Sequence, residues 1–301
     1  MYLRCEMLIE KFIDYLKIEK NYSSNTLSAY EKDLIEFKYF INENIEKYPI
    51  EHAEYKDIRL WIVELVNKNL SNRSINRKVS SLKSFYKFLV KTNTISSSPL
   101  LGHSPLKQSK KIQVPFSKEE INSLLDSDSF KSDYRGVLQK TIITFFYFTG
   151  VRRIELINLK ESDINMDSST IRIMGKRSKE RVIPMLPKLK KSIKDYLNLR
   201  LKEFNNKTLE YLFVSKSCSQ LSEKYVYRTV NEYFKLVSPK VKKAPHVLRH
   251  SFATHLINEG ADINSVKELL GHSSLSATQV YSHTSMERIK EVFKNSHPRA
   301  K

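Results

Sequence analysis

The chain has 301 residues, 40% of them hydrophobic, with only 6 Gly and 9 Pro; that is enough for two domains with proper cores and excludes a fibrous or disordered chain. Its 52 Lys and Arg against 33 Asp and Glu give a formal net charge of +19, which points to a polyanionic partner, nucleic acid or an acidic membrane surface. No apolar run reaches membrane-spanning length, no signal-peptide pattern opens the chain, and Cys5 and Cys218 fit no metal or redox spacing, so the expectation is a soluble protein of the reducing cytoplasm, with no membrane partner.

Leu8, Phe12, Ile13, Tyr15 and Leu16 recur at helical spacing. Residues 1–6 add little to that stripe, which makes Met7 an alternative start. After a break over residues 21–24, Ser24 or Asn25 is the expected cap of a second helix whose stripe is Leu27, Tyr30, Leu34, Phe37 and Phe40. A third helix is predicted near residues 55–67 and a fourth near 74–91. In the fourth, Ile75, Val79, Leu82, Phe85, Tyr86 and Leu89 face inward and leave Arg73, Arg77, Lys83 and Lys87 on the other side. These aromatics read as core rather than as a base-stacking platform. Residues 1–95 are thus expected to form a helical N-terminal domain. Ser, Pro and Gly then interrupt the pattern, marking a basic linker over residues 96–115, long enough to let two domains close around a rod-shaped ligand.

Residues 116–301 make the second domain. Helices are predicted near 118–125 and 134–148, followed by a short β-rich insert with strands at 171–174 and 181–184 around a turn over 176–180. Residues 212–215 are a further candidate strand. From residue 223 helices dominate, with breaks at 238–244, Gly260 and Gly271. The fold class is therefore mainly α with a small β-sheet insert.

The charge distribution says more than its total. Between Glu64 and Glu119 there is no Asp or Glu, but eleven Lys or Arg. A solvated helix face usually mixes signs, whereas a stretch of one sign reads as a surface that tracks phosphates. The DNA-binding candidates from this stretch are Arg73, Arg77, Lys78, Lys83, Lys87, Lys110 and Lys111.

The second domain carries an ordered set of groups: Arg152, Lys176, His246, Arg249, His272 and Tyr281. Five potential cations precede one phenol able to act as a nucleophile. Guanidinium forks match the geometry of phosphate oxygens with paired, charge-assisted hydrogen bonds. Arg152 follows Thr149-Gly150 at an expected helix start, where backbone N–H groups also favour anions. His246 and Arg249, at i and i+3, share a helix face and can meet one phosphate. Each residue also has an ordinary reading: Arg152 as a surface arginine, Lys176 as a solvated turn lysine, His272 as a loop histidine, Tyr281 as one packing tyrosine among 16. His246 and His250 match metal-ligand spacing, but they lack a nearby third ligand and a Glu between them to serve as base.

Taken in order, the set resembles the tyrosine recombinase (phage integrase) family, and within it the Xer subgroup that resolves chromosome dimers. The resemblance runs through T-G-V-R-R-I-E-L, G-K-R-S-K-E-R-V-I-P, P-H-V-L-R-H-S-F-A-T-H-L, the stretch from Gly260 to His283, and the closing H-P-R-A. Arg177 departs from the pattern, since the Xer lysine turn more commonly has Gly there. The resemblance implies a two-domain DNA clamp, a helical SAM-like core-binding domain plus a catalytic domain, without the arm-site domain of some phage integrases. It implies that Tyr281 attacks the scissile phosphate, Arg152 and Arg249 clamp its oxygens, His246 is the acid/base partner, Lys176 protonates the leaving 5′-oxygen and His272 donates to the phosphate. Glu155 is the expected carboxylate that orients the cations; its alternative is a surface helix ion pair. No metal and no cofactor is implied. The partners implied are double-stranded DNA at a dif-like site, a tetramer formed by this chain alone or with a second Xer-type recombinase, and a septal DNA translocase. Ile289, Val292 and Phe293 resemble the face of a helix that docks on a neighbouring subunit. The same cluster is also similar to that of type IB topoisomerases, and a catalytically silent DNA-binding relative is the other alternative.

Overall fold

The computed structural model describes residues 2–44, 49–108, 114–175, 179–205, 209–240, 243–271 and 295–299, with side chains from residue 7 onward. The chain divides into two compact units, Met1–Lys111 and Ile112–Lys301. The described residues are mostly helical, with one small sheet.

The first unit is built from α1 (Tyr2–Ile18), α2 (Ser24–Asn44), α3 (Tyr55–Asn67) and α4 (Asn72–Lys91). The predicted stripes contribute Phe12, Phe37 and Phe85 to its core, joined by Trp61 of α3; all four are all but fully buried, with Phe12 edge-on to Phe85 at 5.4 Å and Phe37 at 5.0 Å from Trp61. Burial of each such ring contributes about 1.5–3 kcal/mol. One cap differs from expectation, and one helix start. Ser23, not Ser24 or Asn25, opens α2, its hydroxyl accepting from Thr26 N at 3.4 Å. Ser71 caps α4 by accepting from Ser74 N, so α4 starts two residues earlier than its apolar stripe suggests.

The stretch read as a linker is partly tied to this unit. Leu100 is buried in its core. The Asn76 side-chain amide donates to Leu106 O at 2.8 Å and accepts from Leu106 N at 2.9 Å, while Asn72 donates to Lys107 O at 2.8 Å. A primary amide on α4 thus satisfies backbone groups that a loop would otherwise leave to water.

The second unit contains α5 (Lys118–Asp126), α6 (Tyr134–Thr149), α7 (Arg153–Ile157), β1 (Ile164–Asn165), β2 (Thr170–Met174), β3 (Glu180–Pro184), α8 (Pro187–Glu203), α9 (Glu223–Val237), α10 (Pro245–Asn258) and α11 (Ile263–Leu270). Nearly every residue of α6 is buried, as befits a largely apolar helix, and it packs against α8, α9 and α10. The sheet is antiparallel in the order β1-β2-β3, with Ile171 opposite Ile183 and Ile173 opposite Arg181. Helix α8 is not among the predicted elements. Its buried face, Leu189, Ile193, Tyr196 and Arg200, is sparse and interleaved with lysines, so its apolar signal is weak.

The candidate strand at 212–215 is a correction. Among the described residues this segment makes only isolated bridges, Lys160 with Tyr211 and Val214 with Gln220. Leu212, Phe213 and Val214 are buried core, and the carbonyls along the segment are satisfied by side chains: Arg200 Nη1 donates to Tyr211 O and Leu212 O, Tyr196 to Leu212 O, and Tyr134 to Val214 O. Among the described residues no helix is long and apolar enough to cross a membrane.

Candidate active site

Helix α6 ends at Gly150, whose φ of +60° is left-handed. A Cβ there would press into the Phe252 ring, 2.8 Å from Cε1, so both backbone and space demand glycine. The turn delivers Arg152 to the N-cap of the five-residue α7. Glu155, on the first turn of α7, accepts from Arg152 N at 2.8 Å and from Arg152 Nη1 at 2.7 Å. The side chain of Glu155 is 3% exposed and that of Arg152 34%, so the carboxylate is internal and the cation faces outward from it.

Arg181, on β3, grips the same carboxylate: Nη1 donates to Oε1 at 3.1 Å and Nη2 to Oε2 at 2.7 Å. Burial by itself pushes the Glu155 carboxyl upward, but the hydrogen bonds and charge of Arg181, followed by the bonds from Arg152, override it and hold the group at about 2. Arg249, on α10, donates from Nη1 to Gly150 O and from Nη2 to Leu270 O, each at 2.6 Å.

The three arginines converge on the end of α11. Arg181 Nε donates to Leu269 O at 2.9 Å, Arg249 Nη2 to Leu270 O, and Arg152 Nη2 to Gly271 O at 3.2 Å. Those carbonyls belong to the helix's last turn and its C-cap, where backbone acceptors lack intrahelical partners and the helix dipole is negative. Burial, then the like charges of Arg152 and Arg181, lower the Arg249 guanidinium to about 10, partly opposed by Glu155. The three guanidiniums are held by fixed protein groups, so an arriving anion meets a geometry that is already in place.

The structure therefore brings together Arg152, Glu155 and Arg249. His246 lies exposed in the first turn of the same helix as Arg249. Lys176, His272 and Tyr281 lie outside the described residues, as do Ile289, Val292 and Phe293. Lys176 follows Gly175, whose N–H donates to Lys179 O at 2.7 Å and closes the base of the β2–β3 turn, and His272 follows Gly271 in the chain. Arg181 is the member that sequence reasoning passed over. Its signal is a break in alternation: β3 places Arg181 and Ile183 inward, and an arginine at an inward strand register requires a buried anion.

On α4, Arg73, Arg77, Lys83 and Lys87 are exposed. Lys78 is a correction. It is buried, and its ammonium bonds Asp33 at 3.2 Å and Glu36 at 2.5 Å, because the 100° helical step turns it from the outer face toward α2. Arg77 is both exposed and anchored, donating to the two oxygens of Asp33 at 2.5 and 2.9 Å. Lys110 and Lys111 lie outside the described residues.

The chain is similar to known proteins in both sequence and fold. Residues 115–288 match the phage integrase family and residues 9–93 match the phage integrase N-terminal SAM-like domain. The chain is 38% identical over 300 residues to tyrosine recombinase XerC of Bacillus pumilus, covering 98% of this chain and 97% of that protein. It is 36% identical over 295 residues to tyrosine recombinase XerC of Staphylococcus epidermidis, covering 97% of each. Two solved structures share the fold. XerH recombinase bound to palindromic difH substrate superposes with a TM-score of 0.70 at 24% identity, covering 95% of this chain and 84% of that one. The Tn1549 transposon integrase with transposon right-end DNA gives 0.69 at 20% identity, covering 94% and 99%.

Proposed function

Because the chain belongs to the phage integrase family of tyrosine recombinases, we propose that it cuts and rejoins double-stranded DNA at a dif-like site through a 3′-phosphotyrosyl intermediate on Tyr281. The observation that carries this reading is the convergence of Arg152 and Arg249 on the end of α11, which fixes two guanidiniums in one cationic site.

The Tyr281 oxygen attacks the scissile phosphorus, forming a P–O bond as the bond to the 5′-oxygen breaks. The phenolic proton passes to His246, and Lys176 supplies a proton to the departing 5′-oxygen. An unperturbed phenol has a pKa of about 10, so attack near neutrality needs this base and a cationic surround. Arg152 and Arg249 hold the non-bridging oxygens as charge grows on the pentacoordinate phosphorus. His272 donates a further hydrogen bond to the phosphate, and Glu155 keeps Arg152 aligned. A 5′-hydroxyl from the partner duplex reverses the step and joins the new strand. One phosphodiester is exchanged for another, so the reaction needs neither a nucleotide nor a metal.

The exposed cations of α4 would follow the DNA backbone. Strand exchange would take place in a tetramer, built of this chain alone or with a second Xer-type recombinase. The cellular role would be resolution of chromosome dimers, with a septal DNA translocase as activator. Incubation with a nicked suicide substrate carrying a dif-like site, in EDTA, tests the chemistry. A denaturation-resistant protein–DNA adduct, absent in Tyr281→Phe, is expected. Cleavage that requires metal, or that persists in Tyr281→Phe, would overturn the reading.

A further inference from the structure

We infer that Arg181 is a positioning residue for strand cleavage, acting through Glu155 and through the backbone segments that lead into Lys176 and His272; this rests on the recombinase reading above. The Arg181 side chain is 5% exposed, so it is placed to act on protein groups rather than on DNA directly. All three of its nitrogens are used: Nη1 and Nη2 on the two oxygens of Glu155, and Nε on Leu269 O.

Two glycines flank the same guanidinium, and each immediately precedes a predicted catalytic residue. A Cβ on Gly271 would lie 3.1 Å from Arg181 Nη1 and 3.2 Å from its Cδ. A Cβ on Gly175 would lie 3.9 Å from Nη1 and 4.0 Å from Glu155 Oε1. One side chain on β3 thus registers the α7 start, the base of the β2–β3 turn and the end of α11 against one another. A lysine has a single nitrogen for these three partners, and a neutral residue has no charge with which to keep Glu155 ionised.

A purely structural role makes a different forecast. Removing one partner of a buried ion pair leaves the other charge uncompensated, so a purely structural effect would lower the melting temperature and lower cleavage equally at every pH. The positioning role acts through the charge of Glu155, which is faced by Arg152, Arg181 and Arg249. Without Arg181, this buried carboxyl takes up a proton at a higher pH. A protonated Glu155 no longer accepts from both the backbone and the side chain of Arg152.

The test is the single-turnover rate of adduct formation on suicide DNA, from about pH 5.5 to pH 9, for wild type, Arg181→Lys, Arg181→Gln and Arg181→Gln/Glu155→Gln. DNA affinity and thermal midpoint are measured beside it. Arg181→Gln is expected to bind DNA nearly as wild type but to cleave about 100-fold more slowly. Its rate should also fall further as pH falls, a limb that the double variant lacks. Arg181→Lys should give a smaller loss, with a weaker acid limb, and it carries the test should Arg181→Gln not fold. A folded Arg181→Lys or Arg181→Gln with wild-type rates, or with a loss parallel at all pH values, would overturn the positioning role alone. A wild-type protein that forms no Tyr281-dependent adduct would overturn the recombinase reading itself, and this inference with it.

Discussion

Arg152 reaches Glu155 twice, through its own backbone N–H at 2.8 Å and through its guanidinium at 2.7 Å. The residue that caps α7 is therefore held by the helix it caps. Its cationic end is fixed relative to the helix start while 34% of the side chain stays exposed. A carboxylate three residues on does for Arg152 what the Ser117 and Glu120 pair does for α5, where each side chain accepts from the other's backbone.

Glu155→Gln gives a pH-dependent stability difference. The folded-state carboxyl is depressed from its usual value near 4.5 to about 2, so its contribution is complete above the unfolded value and is lost as pH falls through the folded one. That contribution is about 3 kcal/mol. In urea titrations at neutral pH and near pH 3, the gap between wild type and Glu155→Gln should narrow on acidification. A constant gap would mean that the carboxylate's charge contributes nothing.

Arg249→Lys retains charge but loses the fork that spans Gly150 O and Leu270 O. Cleavage should fall by about 10²–10³-fold, while gel-shift affinity for the site changes far less. Equal losses in both would place Arg249 in ground-state binding instead.

Asp33→Ala removes the acceptor of four hydrogen bonds, two from Arg77, one from Lys78 and one from Ser81. Buried Lys78 is then left with Glu36, and the expected cost is about 3–5 kcal/mol. Thermal or urea denaturation of the full chain should show the first unit destabilised; an unchanged midpoint would show the network to be dispensable.

Replacing Arg73, Lys83 and Lys87 by Ala should weaken DNA binding evenly across sequences. The slope of log affinity against log salt should become shallower by about 0.9 for each phosphate no longer neutralised, roughly 3 for the triple variant. An unchanged slope would remove the outer face of α4 from the interface.

Gly150→Ala introduces a Cβ at a left-handed position and against the Phe252 ring. The expected destabilisation is about 2–4 kcal/mol, with displacement of the carbonyl that holds Arg249. A melting temperature equal to that of wild type would show that the turn relaxes at no cost.

Much of the fold is legible in the chain because its helices bury dense, regular stripes. The face Ile75, Val79, Leu82, Phe85, Tyr86 and Leu89 is the buried face of α4. Helix α8 is harder to read, because four buried side chains separated by lysines carry little periodic signal. The segment over 212–214 misleads, since an apolar run looks the same whether its carbonyls meet a strand or meet Arg200, Tyr196 and Tyr134. Lys78 misleads for a related reason. Its burial depends on Asp33 and Glu36, more than forty residues away in the chain.

The sequence by itself determined the family, because its motifs lie in the order and spacing of the phage integrases. It also marked where helices break, since Gly260 and Gly271 supply left-handed turns that other residues resist. Only the tertiary structure decided which cations act together. Arg152, Arg181 and Arg249 come from a helix cap, a strand and a helix far apart in sequence, and they meet because three consecutive carbonyls at the end of α11 and one buried carboxylate need donors. Burial raises the cost of leaving any of those groups unpaired, and that cost, set by folding rather than by spacing, draws the three guanidiniums into one site.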